Sequence, residues 1–274
     1  MDTHIRYVAR SSIFETEKAF TTDFPVDHVE GARRTNQEED HQPVTINCIE
    51  NPNEWKLDEH GFCFIKAETH VEAPYTLDTR NEIQKSYWQQ IEAIVHEKFP
   101  QYSRIESFDF TVRKRDADFP EKARGYRQEY VPPATTAHCD YSRNGSYLVL
   151  QHSFPGQEMA WKDKTFDFIN VWRPLNVTDD WPLAVCDYNT IDKENDILLT
   201  DSIRRSMVSE VSLLHYNKNH KWYYLKDHGV DDLLVFRNTD SEGKLPRAFH
   251  AAIPNPNSTG PFRESVEVRL VAFY

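Results

Sequence analysis

Glycine is scarce in this chain, 8 of 274 residues. Neither G-x-G-x-x-G nor G-K-[ST] occurs, which argues against the phosphate-cradling turns of nucleotide and methyl-donor folds. The four cysteines, Cys48, Cys63, Cys139 and Cys186, never form a C-x-x-C pair. Neither a zinc knuckle nor a disulfide framework is therefore indicated. No apolar run approaches the roughly eighteen residues that a membrane-spanning helix needs. The opening residues Met1-Asp2-Thr3-His4 carry no apolar leader, so a cytoplasmic protein with no membrane contact is expected. Positive charge is also short: 32 Lys and Arg stand against 44 Asp and Glu, a net charge of −12. A chain with that field does not attract nucleic acid, and any anion it binds must be met by a local arginine.

What remains is a soluble composition, 28% charged and 13% aromatic, with enough length for one domain and a sizeable core. Residues 1–56 are polar and acid-rich and read as an extended N-terminal arm; 57–274 read as the core of a single domain. Gly61–Ile65 reads as a first strand. Ile83, Tyr87, Trp88, Ile91, Ile94 and Val95 recur with a period near 3.6, predicting one long helix over 79–99 that Pro100 ends. Short strands are then predicted at Ile105–Arg113, Ser146–Gln151, Phe166–Trp172, Val211–His215, Trp222–Leu225, Leu233–Phe236, Ala248–Ile253 and Val266–Phe273, with a short helical turn near Thr200–Ser209. This pattern predicts a mainly β fold with flanking helices, an antiparallel barrel or jelly roll.

Within it lies an ordered set of chemistry-bearing residues. His138 and Asp140 are two apart, so on a strand they share a face while Cys139 points away. Pro132-Pro133 leads into the pair and Asn144-Gly145 is read as a turn leaving it. His250 opens a later strand; its competitors are His215, which has no following arginine pattern, His220, read as a hairpin tip, and His228, which precedes Gly229 in a turn. Two imidazoles and one carboxylate cap one face of an iron ion and leave three positions open. Arg263 and Ser265 follow thirteen positions after His250 and again share a strand face. A planar guanidinium takes a carboxylate in two bonds, and a serine hydroxyl adds a third. Arg269 has the same parity and is a second basic candidate. Arg113 and Arg173 each end an apolar strand. Arg113 suits an internal partner such as Asp109 or Asp187, with substrate contact as the alternative. Arg173 suits a contact with substrate or co-substrate.

At this point the chain resembles a known family. The stretches Leu57-Asp58-Glu59-His60-Gly61-Phe62, Phe108-Asp109-Phe110-Thr111-Val112-Arg113, Ala137-His138-Cys139-Asp140-Tyr141-Ser142, Asn170-Val171-Trp172-Arg173-Pro174-Leu175, Pro182-Leu183-Ala184-Val185-Cys186-Asp187, His220-Lys221-Trp222-Tyr223-Tyr224 and Arg263-Glu264-Ser265-Val266-Glu267-Val268-Arg269 run in order. They are similar to the Fe(II)- and 2-oxoglutarate-dependent oxygenases of secondary metabolism related to fungal gibberellin desaturase, AsaB-type hydroxylase/desaturases and CmcJ. One departure is Phe249 before His250, where the family pattern tends to have proline.

The resemblance implies a double-stranded β-helix. It implies Fe(II) held by His138, Asp140 and His250, and 2-oxoglutarate held by Arg263 with Ser265, with O2 as the oxidant. Arg173 joins the co-substrate set as a candidate, and Arg113, Trp172 and Tyr141 join as substrate candidates. The reaction implied is hydroxylation, desaturation or oxidative rearrangement of a small metabolite, which Arg173 suggests to be carboxylate-bearing. The rival readings are a cupin-like isomerase or lyase that uses iron without consuming 2-oxoglutarate, and a non-catalytic β-sandwich binding module. The oligomeric state, a homodimer included, is left open by the sequence.

Overall fold

The computed structural model describes residues 1–71, 80–120, 130–177 and 179–274. The strands are β1 (Asp2–Val8), β2 (Ala19–Thr22), β3 (Glu39–Ile49), β4 (Phe62–Lys66), β5 (Arg104–Lys114), β6 (His138–Cys139), β7 (Phe166–Pro174), β8 (Leu183–Cys186), β9 (Ile197–Ile203), β10 (Val208–Leu214), β11 (Trp222–Leu225), β12 (Asp232–Asp240), β13 (His250–Ala252) and β14 (Glu264–Phe273). The helices are α1 (Leu57–His60), α2 (Arg80–Lys98), α3 (Arg143–Ser153) and α4 (Glu158–Trp161). Two sheets form, in the orders β1-β3-β11-β8-β13-β6-β10-β9-β2 and β4-β12-β7-β14-β5. They face each other as a jelly roll, and residues from both meet between them at Asp140, which bonds Asn170 of β7 and Arg269 of β14.

Strand parity explains the layering. Ile169 and Val171, Leu233 and Val235, Phe110 and Val112, and Val266, Val268 and Leu270 all point to one side of the smaller sheet. There they pack on Ile83, Tyr87, Ile91 and Val95 of α2 in one buried cluster. Their alternates, among them Asn170, Trp172, Asn238, Ser265, Glu267 and Arg269, face the larger sheet. Covered on both faces, β7 is buried along its whole length. The long helix stands where its periodicity predicted, although residue 79 lies outside the described residues.

Three expectations are corrected. Ser146–Gln151 is not a strand, nor is Asn144-Gly145 a turn: both lie in α3. The Ser142 hydroxyl caps that helix by accepting from the Gly145 amide at 2.9 Å. Gly145, Ser146, Val149 and Leu150 form its buried stripe, four apart in pairs, a period that one and a half apolar turns hardly display. The helical turn near Thr200–Ser209 is instead the hairpin joining β9 to β10, closed by the Arg204 amide donating to Met207 at 2.9 Å. Within residues 1–56, β1 and β3 pair with each other and β3 continues onto β11 in parallel. Ile5 and Tyr7 alternate inward from β1 into the second core cluster.

Candidate metal and co-substrate site

β6 and β13 pair so that His138 and His250 stand directly opposite each other. Their ring centroids are 4.3 Å apart. Each ring is oriented in the same way: His138 Nδ1 lies 2.7 Å from the Thr136 carbonyl and His250 Nδ1 lies 3.1 Å from the Ala248 carbonyl. A carbonyl only accepts, so both Nδ1 atoms carry the proton and both Nε2 atoms present a lone pair. Burial first, and then the neighbouring His138, push the His250 imidazole down to about 3, so it is neutral as a ligand must be.

Asp140 follows β6 immediately. One carboxylate oxygen, Oδ2, accepts from Asn170 Nδ2 at 2.6 Å and from Arg269 Nε at 2.8 Å. The other, Oδ1, faces His138 Nε2 at 3.3 Å. Asn238 completes the frame by accepting from the Asp140 amide (2.9 Å) and donating to Asn170 Oδ1 (2.7 Å). Burial opposes ionisation of Asp140, but the Arg269 charge outweighs it and holds the carboxyl well below its usual range. One donor atom from each of His138, Asp140 and His250 lies within 4.8 Å of the others. Two free imidazole nitrogens and one oriented carboxylate oxygen fit a ferrous ion bound on one face.

Arg263 enters from the loop before β14 and is 2% exposed. Its backbone N–H donates to Asp180 Oδ2 (2.9 Å), and Nη1 donates to the Trp181 carbonyl (2.6 Å). Nε and Nη2 both reach the Ser265 hydroxyl at 3.4 Å, and the guanidinium carbon lies 5.0 Å from the Trp172 ring centroid. No carboxylate among the described residues pairs with this guanidinium. Burial, and next the like charge of Arg113, push it down to about 9. Arg269 is the opposite case: its fork meets Asp140, Asp109 and Glu267 at once, which excludes it as a free anion anchor.

The charges of this interior decide what it can accept. Three arginines (Arg113, Arg263, Arg269) stand among Asp109, Asp140 and Glu267, with Asp180 also beside Arg263. Burial pushes the Glu267 carboxyl up, against the pull of Arg269. A divalent cation at the triad adds positive charge to a low dielectric, and a dicarboxylate bound with it offsets that charge.

The structure brings His138, Asp140 and His250 into one cluster and Arg263, Ser265 and Trp172 into another, with Arg113 opposite Ser265 on the neighbouring strand. Tyr141 packs on Phe168 and Phe108 (centroids 5.4 and 6.0 Å) and borders a cavity of about 310 Å³ shared with Asp140, Arg269, Met207 and Arg204. Arg173 does not join them. Parity turns it towards α2, where its N–H groups donate to Tyr87 Oη (3.0 Å) and to the carbonyls of Thr69 (3.0 Å), Val230 and Pro174 (both 3.2 Å). The competing histidines serve the fold: His215 meets the Val8 carbonyl and His228 the Asp232 carbonyl. His220 is not at an exposed tip but is buried against Asp196 at 3.0 Å. Asn170 and Asn238 were not singled out as candidates. The available signal was their inward parity, with Asn170 standing two residues before Trp172.

Fold and donor set together define a jelly-roll oxidoreductase with a facial two-histidine, one-carboxylate centre. The chain belongs to the family described as the oxidoreductase/YMDC permease-like domain, whose model matches residues 5–273. Hydroxylase/desaturase efuI of Hormonema carpetanum is 27% identical over 254 residues, covering 85% of this chain and 84% of that protein. The Fe(II)/2-oxoglutarate-dependent dioxygenase nvfI of Aspergillus novofumigatus is 27% identical over 226 residues, covering 79% and 77%. The solved structure of a variant of the iron and alpha-ketoglutarate-dependent endoperoxidase NvfI superposes with a TM-score of 0.86 at 23% identity, covering 100% of this chain and 97% of that one. Among the described residues no helix is long and apolar enough to cross a membrane.

Proposed function

We propose that this protein is an Fe(II)- and 2-oxoglutarate-dependent oxygenase that oxidises a C–H bond of a small secondary metabolite. His138, Asp140 and His250 would hold the iron, and Arg263 with Ser265 would receive the far carboxylate of 2-oxoglutarate. The observation that carries the reading is the pairing of a preoriented N,N,O donor set with a buried arginine that lacks a carboxylate partner among the described residues. When bound, iron and 2-oxoglutarate supply oxidative decarboxylation to succinate coupled to hydroxylation, desaturation or rearrangement of substrate. The chain's own part is to turn both imidazoles by their Nδ1 contacts, to hold Asp140 through Asn170 and Arg269, and to line the neighbouring cavity with Phe108, Tyr141 and Met207 beside the charged Asp109, Arg204 and Arg269. A carboxylate on that metabolite, if it has one, is not read by Arg173.

The test is anaerobic. Adding 2-oxoglutarate to the Fe(II)-loaded protein should produce a visible charge-transfer band that saturates at one equivalent. Admitting oxygen with a turned-over metabolite should give succinate and product in equal amounts. Absence of 2-oxoglutarate binding in the presence of Fe(II) would overturn the assignment and return the isomerase or lyase reading.

A further inference from the structure

The Arg263 anchor leaves a second guanidinium unexplained. Arg113 sits on β5 directly opposite Ser265 of β14, so the two side chains leave the same face of the sheet as close neighbours. Ser265 in turn touches Arg263 through both Nε and Nη2. One hydroxyl is therefore neighbour to two arginines. The Arg113 side chain is half-buried, and its one hydrogen bond among the described residues runs from Nη1 to the Pro132 carbonyl at 2.8 Å. No carboxylate among the described residues forms an ion pair with it. The two nearby acids Asp109 and Glu267 both pair with Arg269, and the Glu267 charge offsets part of the charge of Arg113 and Arg263 from a distance.

Two like charges beside one another in a partly dry interior oppose each other and the fold. An anion placed between them reverses that sign, and the roughly four lone-pair sites of a carboxylate accept one planar fork, a single bond from the second guanidinium and a hydroxyl. We propose that Arg113 and Arg263 are two arms of one clamp that closes on the distal carboxylate of the 2-oxo diacid, with the Ser265 hydroxyl between them. This rests on the co-substrate reading above and adds to it a second binding residue. The clamp selects diacids over 2-oxo monoacids, because a monoacid leaves both guanidiniums facing an apolar chain end.

The experiment is calorimetric titration of the Mn(II)-loaded protein with 2-oxoglutarate and with 2-oxopentanoate, which lacks the distal carboxylate. Wild type, Arg113→Gln, Arg113→Lys, Arg263→Gln and the double Gln variant are compared. Arg113→Gln should weaken 2-oxoglutarate about tenfold or more, the loss expected for one charge-assisted contact. It should leave 2-oxopentanoate binding unchanged or tighter. Arg113→Lys, which keeps the charge and loses the fork, should fall in between and serves as the informative variant if Arg113→Gln does not melt cooperatively. The double variant should lose less than the two single losses combined. Unchanged 2-oxoglutarate affinity in Arg113→Gln, or equal weakening of both acids, overturns the clamp. The oxygenase reading survives that result as long as Arg263→Gln still weakens 2-oxoglutarate. Wild type that binds no 2-oxoglutarate overturns both.

Discussion

His138 and His250 face each other across the β6–β13 pair, each with Nδ1 held by the carbonyl two residues before it. The repeated arrangement aims two Nε2 lone pairs at the same region without help from any other side chain. Cys139, between His138 and Asp140, turns the other way and donates weakly to the Ala248 and Asn238 carbonyls.

His138→Ala and His250→Ala should each abolish turnover and remove high-affinity Fe(II) binding, read by metal titration. Cys139→Ala should keep most activity and lose only about 1 kcal/mol of stability, because the side chain removed is small and its hydrogen bonds are weak. Wild-type turnover in either histidine variant would disprove the metal assignment.

Asn170 holds Asp140 Oδ2 and is itself held by Asn238. Asn170→Ala should lower metal affinity by about 10- to 100-fold, the usual consequence of releasing a ligand's supporting bond. Circular dichroism should show the fold retained. A metal affinity equal to wild type would mean that Arg269 alone orients the carboxylate.

Arg173 spends its donors on Tyr87 and three carbonyls beneath α2. Arg173→Gln should therefore cost about 2–3 kcal/mol in urea unfolding, since buried carbonyls lose their donors. The KM for 2-oxoglutarate should not change. A raised KM with unchanged stability would return Arg173 to the site.

Gly145 is where α3 crosses β10. A Cβ built there would lie 2.0 Å from the Glu210 carbonyl oxygen, a backbone atom that cannot step aside. Gly145→Ala should destabilise by about 1–3 kcal/mol or more despite alanine's better helix propensity. A melting temperature at or above wild type would show that α3 can shift outward freely.

His228 is buried between Phe64 and Trp172, and its Nε2 meets the Asp232 carbonyl at 2.6 Å. Burial pushes it down to about 4 from an ordinary 6.5. Between those values the unfolded chain takes up a proton that the native state refuses. Stability is thus complete above about 6.5 and is lost as the pH falls towards 4, by at most about 3 kcal/mol. His215, His220 and His250 are lowered too and act in the same direction. His228→Gln should flatten the slope of urea-unfolding stability against pH in that window; an unchanged slope would remove His228 from the account.

The metal ligands were legible because their chemistry is written locally. A His-x-Asp pair with two-residue parity, a later His and an Arg-x-Ser are recognisable before any contact is known, since strand parity fixes which neighbours share a face. The long helix was readable for the same reason, from the stripe Ile83 to Val95. Helix α3 was not, because Val149 and Leu150 fit a strand as well as a helix. What settled it was Ser142 capping the first turn and Gly145 meeting β10, whose partner residue Glu210 is distant in the chain.

By itself, then, the sequence determined the kind of groups available and their order along the chain: two imidazoles, one carboxylate and a supply of arginines within an acidic whole. Only the tertiary structure decided which arginine is free to meet an anion. Arg173, Arg263 and Arg269 look alike as letters on apolar strands. Among the described residues, folding brings three carboxylates to Arg269, carbonyls and a phenol to Arg173, and no carboxylate to the Arg263 guanidinium. Neutralisation depends on through-space distance in a low dielectric, and residues far apart in sequence set that distance.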